Sequence, residues 1–228
     1  MRLCFCVLGW HYLDEFYDRL YEIPGEKYII SHREASFLAG RPLREKIGSD
    51  LHVMPNAGLD WGGYHQFNEL VDLSRYDVVI YCHDDLIIKD AAFTEAVREK
   101  LRDGAVKVVG NGNNGADSEF RYGKYRHVMR WPDDDGFVVR TVRGSFFAAR
   151  TEIFAQIGNF PVHWEASERN LKKGNISLRN FGYIVSKTYG VDAIGYLEPE
   201  SWLETRYLVE MRRGVAVAEH VRTGRAQT

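Results

Sequence analysis

Cysteine is scarce. The 228 residues contain only Cys4, Cys6 and Cys82, an odd number, all in apolar runs and with no pair at metal-ligand spacing. A disulfide framework is thereby excluded, and the three read as buried free thiols of a reducing compartment. An excess of charge of one sign is also lacking: 30 Lys and Arg against 32 Asp and Glu leave a formal net charge of -2. That balance gives no electrostatic basis for a broad nucleic-acid surface. No segment approaches the roughly twenty consecutive apolar residues of a membrane span. Met1 to Trp10 is short and apolar but lacks a charged n-region, a long h-region and a cleavage site, so it reads as a first strand rather than a signal peptide. The expected setting is the cytoplasm, with any membrane contact peripheral and made through a partner. Internal repeats, low-complexity tracts and linkers are missing. So are the Walker loop, the dinucleotide fingerprint and the nucleophile elbow, and the Ser and His residues form no recognisable triad.

What remains is ordinary for a packed protein, at 45% hydrophobic and 27% charged residues. The length suits one α/β unit over 1–228, in which regularly alternating segments fill 1–110 and less regular ones 111–228, ending in a polar tail from Arg212. Thirteen Tyr and five Trp suit a core, or a site that stacks on sugar rings. Strands are expected at Leu3–Leu8, Lys27–Ser31, Leu51–Met54, Val78–Cys82 and Val106–Val109. Helices are expected between them at Tyr12–Tyr21, Tyr64–Leu73 and Asp90–Arg102. This alternation argues for a mostly parallel sheet covered on both faces, with ligands at the carboxyl ends of its strands. Residues 111–136 read as a long loop or hairpin region. Val138–Val142 and Ser145–Ala149 read as strands, and Thr151–Gly158 as a helix.

Three segments could carry chemistry. Val78-Val79-Ile80-Tyr81-Cys82-His83-Asp84-Asp85 delivers two adjacent carboxylates to the end of a buried strand. Carboxylates are hard ligands for Mg²⁺ or Mn²⁺ beside a diphosphate, although such acids also cap turns. Pro55-Asn56-Ala57-Gly58-Leu59-Asp60-Trp61-Gly62-Gly63 places glycines between a strand and a helix, where backbone can approach a phosphate or simply turn. Val142-Arg143-Gly144-Ser145-Phe146-Phe147-Ala148-Ala149-Arg150 leads into Ile157-Gly158-Asn159-Phe160, and by itself is a strand, turn and helix with core aromatics.

In order and spacing, over roughly residues 2–190, these segments resemble the GT-A fold glycosyltransferases, the family 2-like group of the nucleotide-diphospho-sugar transferase superfamily. The resemblance implies a Rossmann-like three-layer α/β/α sandwich with a smaller acceptor-side region, 1–110 binding the nucleotide sugar and 111–228 serving the donor sugar and acceptor. It implies transfer of a sugar from a nucleotide-diphosphate donor, by default a UDP-sugar, to a glycan or polysaccharide acceptor. It implies inversion at the transferred carbon and a divalent metal, Mn²⁺ or Mg²⁺. Carried over, it gives Gly9, Trp10, His11, Ser31 and Arg33 to the base and ribose, and Asn56, Gly58, Asp60 and Gly63 to the nucleotide pocket. Asp84 would lie near the ribose or sugar, and Gly144 and Ser145 would face the donor sugar. Asp85 would ligate the metal, with His83 standing where the family has its first acid and able to bind Mn²⁺ or to hydrogen-bond. The base that deprotonates the acceptor hydroxyl would be Glu168 or Glu165, Glu168 being preferred. Trp164 could stack on the acceptor, and His163 and His220 are further possible ligands. Two other readings share the fold: a non-catalytic nucleotide- or carbohydrate-binding domain, and a sugar nucleotidyltransferase. The stretch Gly9-Trp10-His11-Tyr12-Leu13-Asp14 lacks the glycine-rich basic signature of the latter.

Overall fold

The computed structural model describes residues 1–111, 118–166, 170, 173–197 and 202–205. Alternating elements open the chain: β1 (Leu3–Gly9), α1 (Asp14–Glu22), β2 (Glu26–Ser31), α2 (Pro42–Ile47), β3 (Leu51–Val53), α3 (Leu59–Leu70) and β4 (Val78–His83). Next come β5 (Leu86–Ile88), α4 (Phe93–Lys100), β6 (Val108–Asn111), β7 (Glu119–Arg121), β8 (Val138–Arg140) and β9 (Phe146–Arg150). The described chain closes with α5 (Ile153–Ile157), α6 (Gly174–Tyr189), β10 (Ile194–Leu197) and β11 (Leu203–Thr205).

Seven strands form the central sheet in the order β10-β6-β9-β4-β1-β2-β3. Every pairing is parallel except those of β9, which runs antiparallel to both β4 and β6. The reversal has a consequence for the site. With Cys82 paired to Phe146, the residues entering β9, Arg143 to Ser145, lie at the same sheet edge as the carboxyl ends of β1 and β4. This is the mostly parallel, Rossmann-like GT-A arrangement expected from the sequence. Two short ribbons, β5–β11 and β7–β8, stand outside the sheet.

Because successive strand residues face opposite sides, β1 and β4 feed two cores. Phe5, Val7, Val78, Ile80 and Cys82 pack with Phe16, Tyr17 and Leu20 of α1 and with Phe93 and Val97 of α4. Cys4, Cys6, Leu8, Val79 and Tyr81 pack with Trp61, Tyr64 and Phe67 of α3, Ile153 of α5 and Phe181 and Val185 of α6. The second core is the richer in aromatic rings, and there the Trp61 ring lies 5.5 Å from Phe147, 5.5 Å from Phe160 and 5.3 Å from Phe181. A satellite cluster of Phe120, Tyr122, Val139 and Tyr183 joins the β7–β8 ribbon to α6.

Several elements differ from expectation. Helix α3 begins at Leu59 rather than Tyr64, so Gly62 and Gly63 lie inside it and not in the loop. Both are needed for close packing: a Cβ on Gly62 would stand 1.7 Å from the Ala57 carbonyl oxygen, and one on Gly63 2.4 Å from Leu8. Helix α4 is confined to Phe93–Lys100. Helix α6, the longest at sixteen residues, has no counterpart among the expected elements, nor do α2, β5, β10 and β11. Within 111–136, the described part contains β7 and a 3-10 segment over Tyr122–Val128. The tail from Arg212 lies outside the described residues.

Candidate functional site

A cavity of about 520 Å³ opens at the carboxyl edge of the sheet. Its wall takes Gly9, Trp10 and His11 from the end of β1, His32 after β2, and Asn56, Leu59, Asp60 and Trp61 around the start of α3. His83, Asp84 and Asp85 follow from β4, Arg143, Gly144 and Ser145 from the approach to β9, and Gly174, Asn175 and Leu178 from the first turns of α6. Of the residues singled out in the sequence, Gly9, Trp10, His11, Asn56, Asp60, His83, Asp84, Asp85, Gly144 and Ser145 are brought together there. Ser31, Arg33, Gly58, Gly63 and Glu165 are not part of the wall.

Ser31, Arg33, Gly58 and Gly63 support it. The Ser31 hydroxyl donates to the Arg33 carbonyl at 2.8 Å and accepts the Arg33 N–H at 3.0 Å. The Arg33 guanidinium lies 4.3 Å from the ring centroids of both Trp10 and Phe37, a cation held between two π faces that fixes the Trp10 ring. Gly58 turns the chain into α3 with a left-handed φ of 73°, and a Cβ there would stand 2.4 Å from Val162. Gly63 lets α3 approach Leu8 and His32.

The two carboxylates after β4 have different tasks. Asp84 is fully buried and accepts the backbone N–H groups of Trp10 at 3.0 Å, His11 at 3.0 Å and Tyr12 at 2.7 Å, and the Tyr17 hydroxyl at 3.2 Å. It therefore shapes the loop after β1. Burial pushes its carboxyl above the ordinary range, while the His11 imidazole and the His11 and Tyr12 amides pull it back. Asp85 is 6% exposed and faces the cavity. Its Oδ1 stands 3.9 Å from His83 Nδ1, and the other ring nitrogen, Nε2, stands 3.7 Å from Asp60 Oδ2. The imidazole is thus flanked by two carboxylates. Desolvation raises the Asp60 carboxyl, with the His83 charge opposing it.

Three backbone contacts lock these elements. The His83 N–H donates to the Ser145 carbonyl at 3.0 Å, and the Asp84 N–H to the Leu8 carbonyl at 3.2 Å. The Tyr64 hydroxyl donates to the Gly144 carbonyl at 2.5 Å. Among the described residues, left-handed φ outside glycine occurs only at Tyr12 (52°) and Leu59 (56°). One adjoins the wall and the other forms part of it, a placement of backbone strain common at functional sites.

As a metal site the cavity is one-sided. Among the described residues no three His, Cys, Asp or Glu side chains converge for an ion. Asp85 with His83 gives one hard oxygen donor beside one imidazole nitrogen, a set compatible with Mn²⁺ or Mg²⁺ provided that phosphate oxygens complete the shell. The expected bases stand apart. Glu165 is a surface carboxylate, its side chain 74% exposed, accepting from Lys173 Nζ at 2.7 Å. That ammonium, and then His163, hold it below the usual carboxylate range, which makes it a weak base. Glu168 and His220 lie outside the described residues. Trp164 is 51% exposed beside Gly58 and Gly62, and the His163 N–H donates to Ser177 Oγ at 2.8 Å. Sequence reasoning gave no role to Arg143, Gly174, Asn175 or Leu178, and reached His32 only as part of the Ser31 to Arg33 region bordering the base and ribose. Arg143 stood inside a quoted segment, and His32 between two named positions.

No protein-family model matches the sequence, and no curated protein matches it in sequence. Among solved structures the chain is similar to a mannosyltransferase from Pyrobaculum calidifontis solved with GDP-Man and Mn²⁺, at 14% identity and a TM-score of 0.50 over 96% of this chain. It is equally similar, at 14% identity and a TM-score of 0.50, to a putative glucose-1-phosphate thymidylyltransferase from Bacillus anthracis solved with sucrose. The chain has a GT-A-like fold. It spans 62% of the mannosyltransferase chain and 95% of the thymidylyltransferase chain. No described helix is long and apolar enough to cross a membrane.

Proposed function

We propose that this chain is a glycosyltransferase that moves a sugar from a nucleotide-diphosphate donor, a UDP-sugar by default, to a hydroxyl of a glycan or polysaccharide acceptor. The observation that carries the reading is the single cavity wall shared by Trp10 and His11, Asn56 and Asp60, His83 to Asp85, and Gly144 with Ser145. Such a wall at the carboxyl edge of a mostly parallel sheet is where this architecture binds nucleotides. Trp10, fixed by Arg33, offers a ring face to the base. Asp84 holds the loop that carries it. Gly144 and Ser145 leave room for the sugar beside Asp60, and Arg143 brings a cation to the diphosphate end.

Asp85 and His83 would hold a divalent metal, which supplies charge neutralisation to the departing diphosphate. In the transfer, the acceptor oxygen forms a bond to the anomeric carbon as the bond from that carbon to the phosphate oxygen breaks. The electron pair leaves on the nucleoside diphosphate, and the acceptor proton passes to a carboxylate, assigned to Glu168. One such displacement inverts the anomeric carbon. Buried free thiols at Cys4, Cys6 and Cys82 support a reducing, cytoplasmic setting.

The test is thermal stability of the purified protein against nucleotide sugars and free nucleotides, with Mn²⁺, Mg²⁺ or EDTA. A ligand at one hundred times its Kd stabilises by about 2.7 kcal/mol. A metal-dependent rise with one nucleotide family, lost in Asp85→Ala, supports the reading and names the base; no rise with any nucleotide rejects it. The equal similarity to a thymidylyltransferase fold favours a second reading, nucleotidyl transfer. Release of pyrophosphate from a nucleoside triphosphate with a sugar 1-phosphate would establish that instead.

A further inference from the structure

We propose that His32 selects the base of the nucleotide: its Nδ1 accepts the imide N–H of a uracil or thymine ring. The inference deepens the donor assignment above and rests on it for the presence of a nucleotide in the cavity.

Two contacts in series decide which ring nitrogen of His32 can accept. Gln66 of α3 stands between the Pro55 carbonyl, 3.0 Å from its Nε2, and the His32 ring, whose own Nε2 lies 3.2 Å from its Oε1. A carbonyl only accepts, so the Gln66 end turned to Pro55 is the NH₂ and the end turned to His32 is the oxygen. That oxygen also only accepts, so His32 Nε2 carries the hydrogen. In a neutral imidazole the lone pair then lies on Nδ1. Burial keeps the ring neutral by pushing it below the ordinary value, with Gln66 and Asp60 opposing. Helix α3 seats the ring: a Cβ on Gly63 would stand 3.3 Å from His32 Cε1. No hydrogen bond among the described residues reaches Nδ1, and His32 lines the cavity. Its lone pair is therefore available to a ligand there.

The surroundings suit a base rather than a phosphate. Leu8 and Ile30, register partners on adjacent strands, enter the same wall with Trp10. The paired acids and Arg143 come from β4 and the approach to β9, on the opposite side of β1 from His32. Hydrocarbon and an indole thus surround one fixed acceptor. Uracil and thymine carry a single N–H, set between two carbonyls, and one acceptor satisfies it. Asn56, exposed in the wall, has an amide N–H for a flanking carbonyl. Cytosine and adenine present an NH₂, and guanine an NH₂ beside a ring N–H. Each brings more hydrogens than His32 can take, and a buried donor left unpaired is costly.

The test is calorimetry of the full chain with UDP, dTDP, CDP, GDP, ADP and 3-methyl-UDP, in which a methyl group replaces the imide hydrogen. Wild type is compared with His32→Phe, which keeps a ring and removes the acceptor. Wild type is expected to bind UDP or dTDP at least about tenfold more tightly than the other three bases and than 3-methyl-UDP. In His32→Phe that preference should vanish, with UDP and 3-methyl-UDP binding alike. UDP against dTDP separates the two bases that share the imide. The comparison of UDP with 3-methyl-UDP needs only wild type, so it decides the matter even where the variant fails to fold. Undiminished affinity for 3-methyl-UDP, or a preference that survives in His32→Phe, would overturn the inference. Equal or tighter binding of CDP, GDP or ADP would overturn it too and leave the donor assignment standing with another base. No binding of any nucleotide would sink both.

Discussion

The backbone N–H of Tyr12 donates to the buried carboxylate of Asp84 at 2.7 Å, joining residues 72 apart in sequence. The contact holds Tyr12 at a φ of 52°, a region that bulky residues rarely occupy. With Tyr12 so placed, a Cβ at position 9 would stand 2.7 Å from the Tyr12 hydroxyl, so Gly9 and Asp84 are parts of one device.

Asp84→Asn tests that device. The amide keeps one acceptor oxygen and turns an N–H₂ group toward a backbone N–H, leaving at least one buried donor unsatisfied at a cost of about 1–3 kcal/mol. Urea unfolding at neutral pH should show the loss, and nucleotide binding should weaken as the loop carrying Trp10 and His11 loosens. An unchanged unfolding midpoint with unchanged binding would refute the assignment.

Gly144→Ala separates sugar from nucleotide. The new Cβ would stand 2.5 Å from Asp60 Oδ2 and 3.4 Å from Trp61 Nε1, so the Asp60 carboxylate must swing into the cavity. The strain is expected to cost about 1–3 kcal/mol, which leaves the protein folded. Affinity for a nucleotide sugar should fall by more than affinity for the matching free diphosphate, measured by calorimetry. Equal losses would move Gly144 away from the sugar.

Most of the sheet was legible because its inner strands are nearly continuous apolar runs, with β1, β4 and β9 buried on both faces along almost their whole length. Helix α6 was illegible for a definite reason. Three of its buried positions are polar, Ser177, Asn180 and Ser186, and each is satisfied by a distant partner. Ser177 takes the His163 N–H, Ser186 the Arg140 N–H, and Asn180 the Arg130 N–H. Hydropathy cannot register a helix whose inner face is held by hydrogen bonds to residues 14 to 50 positions away. The same limit hid the task of Asp84. Two adjacent acids after β4 announced a site, but only the fold shows that one of them is turned onto the backbone of the loop after β1.

His32 gives a dependence on pH. Burial pushes its imidazole below the ordinary value, with Gln66 and Asp60 opposing. Between that lowered value and about 6.5, the unfolded chain binds a proton that the native chain refuses, so stability rises with pH through this window and is lost on acidification. Asp60 and Asp84 act in the opposite sense from the ordinary carboxylate range upward, since their raised values favour the protonated native state. Melting temperatures between acid and neutral pH for wild type and His32→Gln isolate the first effect. The variant curve should be flatter near and below the imidazole range, and parallel curves would show that His32 titrates alike in both states.

The proton acceptor is decided by comparing Glu165→Gln with Glu168→Gln. Glu165 is held by Lys173 at the surface, its carboxyl lowered and its side chain 74% exposed. It stands outside the cavity wall, so its loss should leave donor turnover near the wild-type rate. Glu168 is the remaining candidate from the sequence. Removing a general base lowers turnover by about 10²–10⁴, and because the base acts on the acceptor, nucleotide-sugar binding should survive in Glu168→Gln. The pairing of lost turnover with retained donor binding is the signature sought. If both variants turn over normally, the proton leaves by another group, and His83, lying between Asp60 and Asp85 in the wall, becomes the next residue to replace.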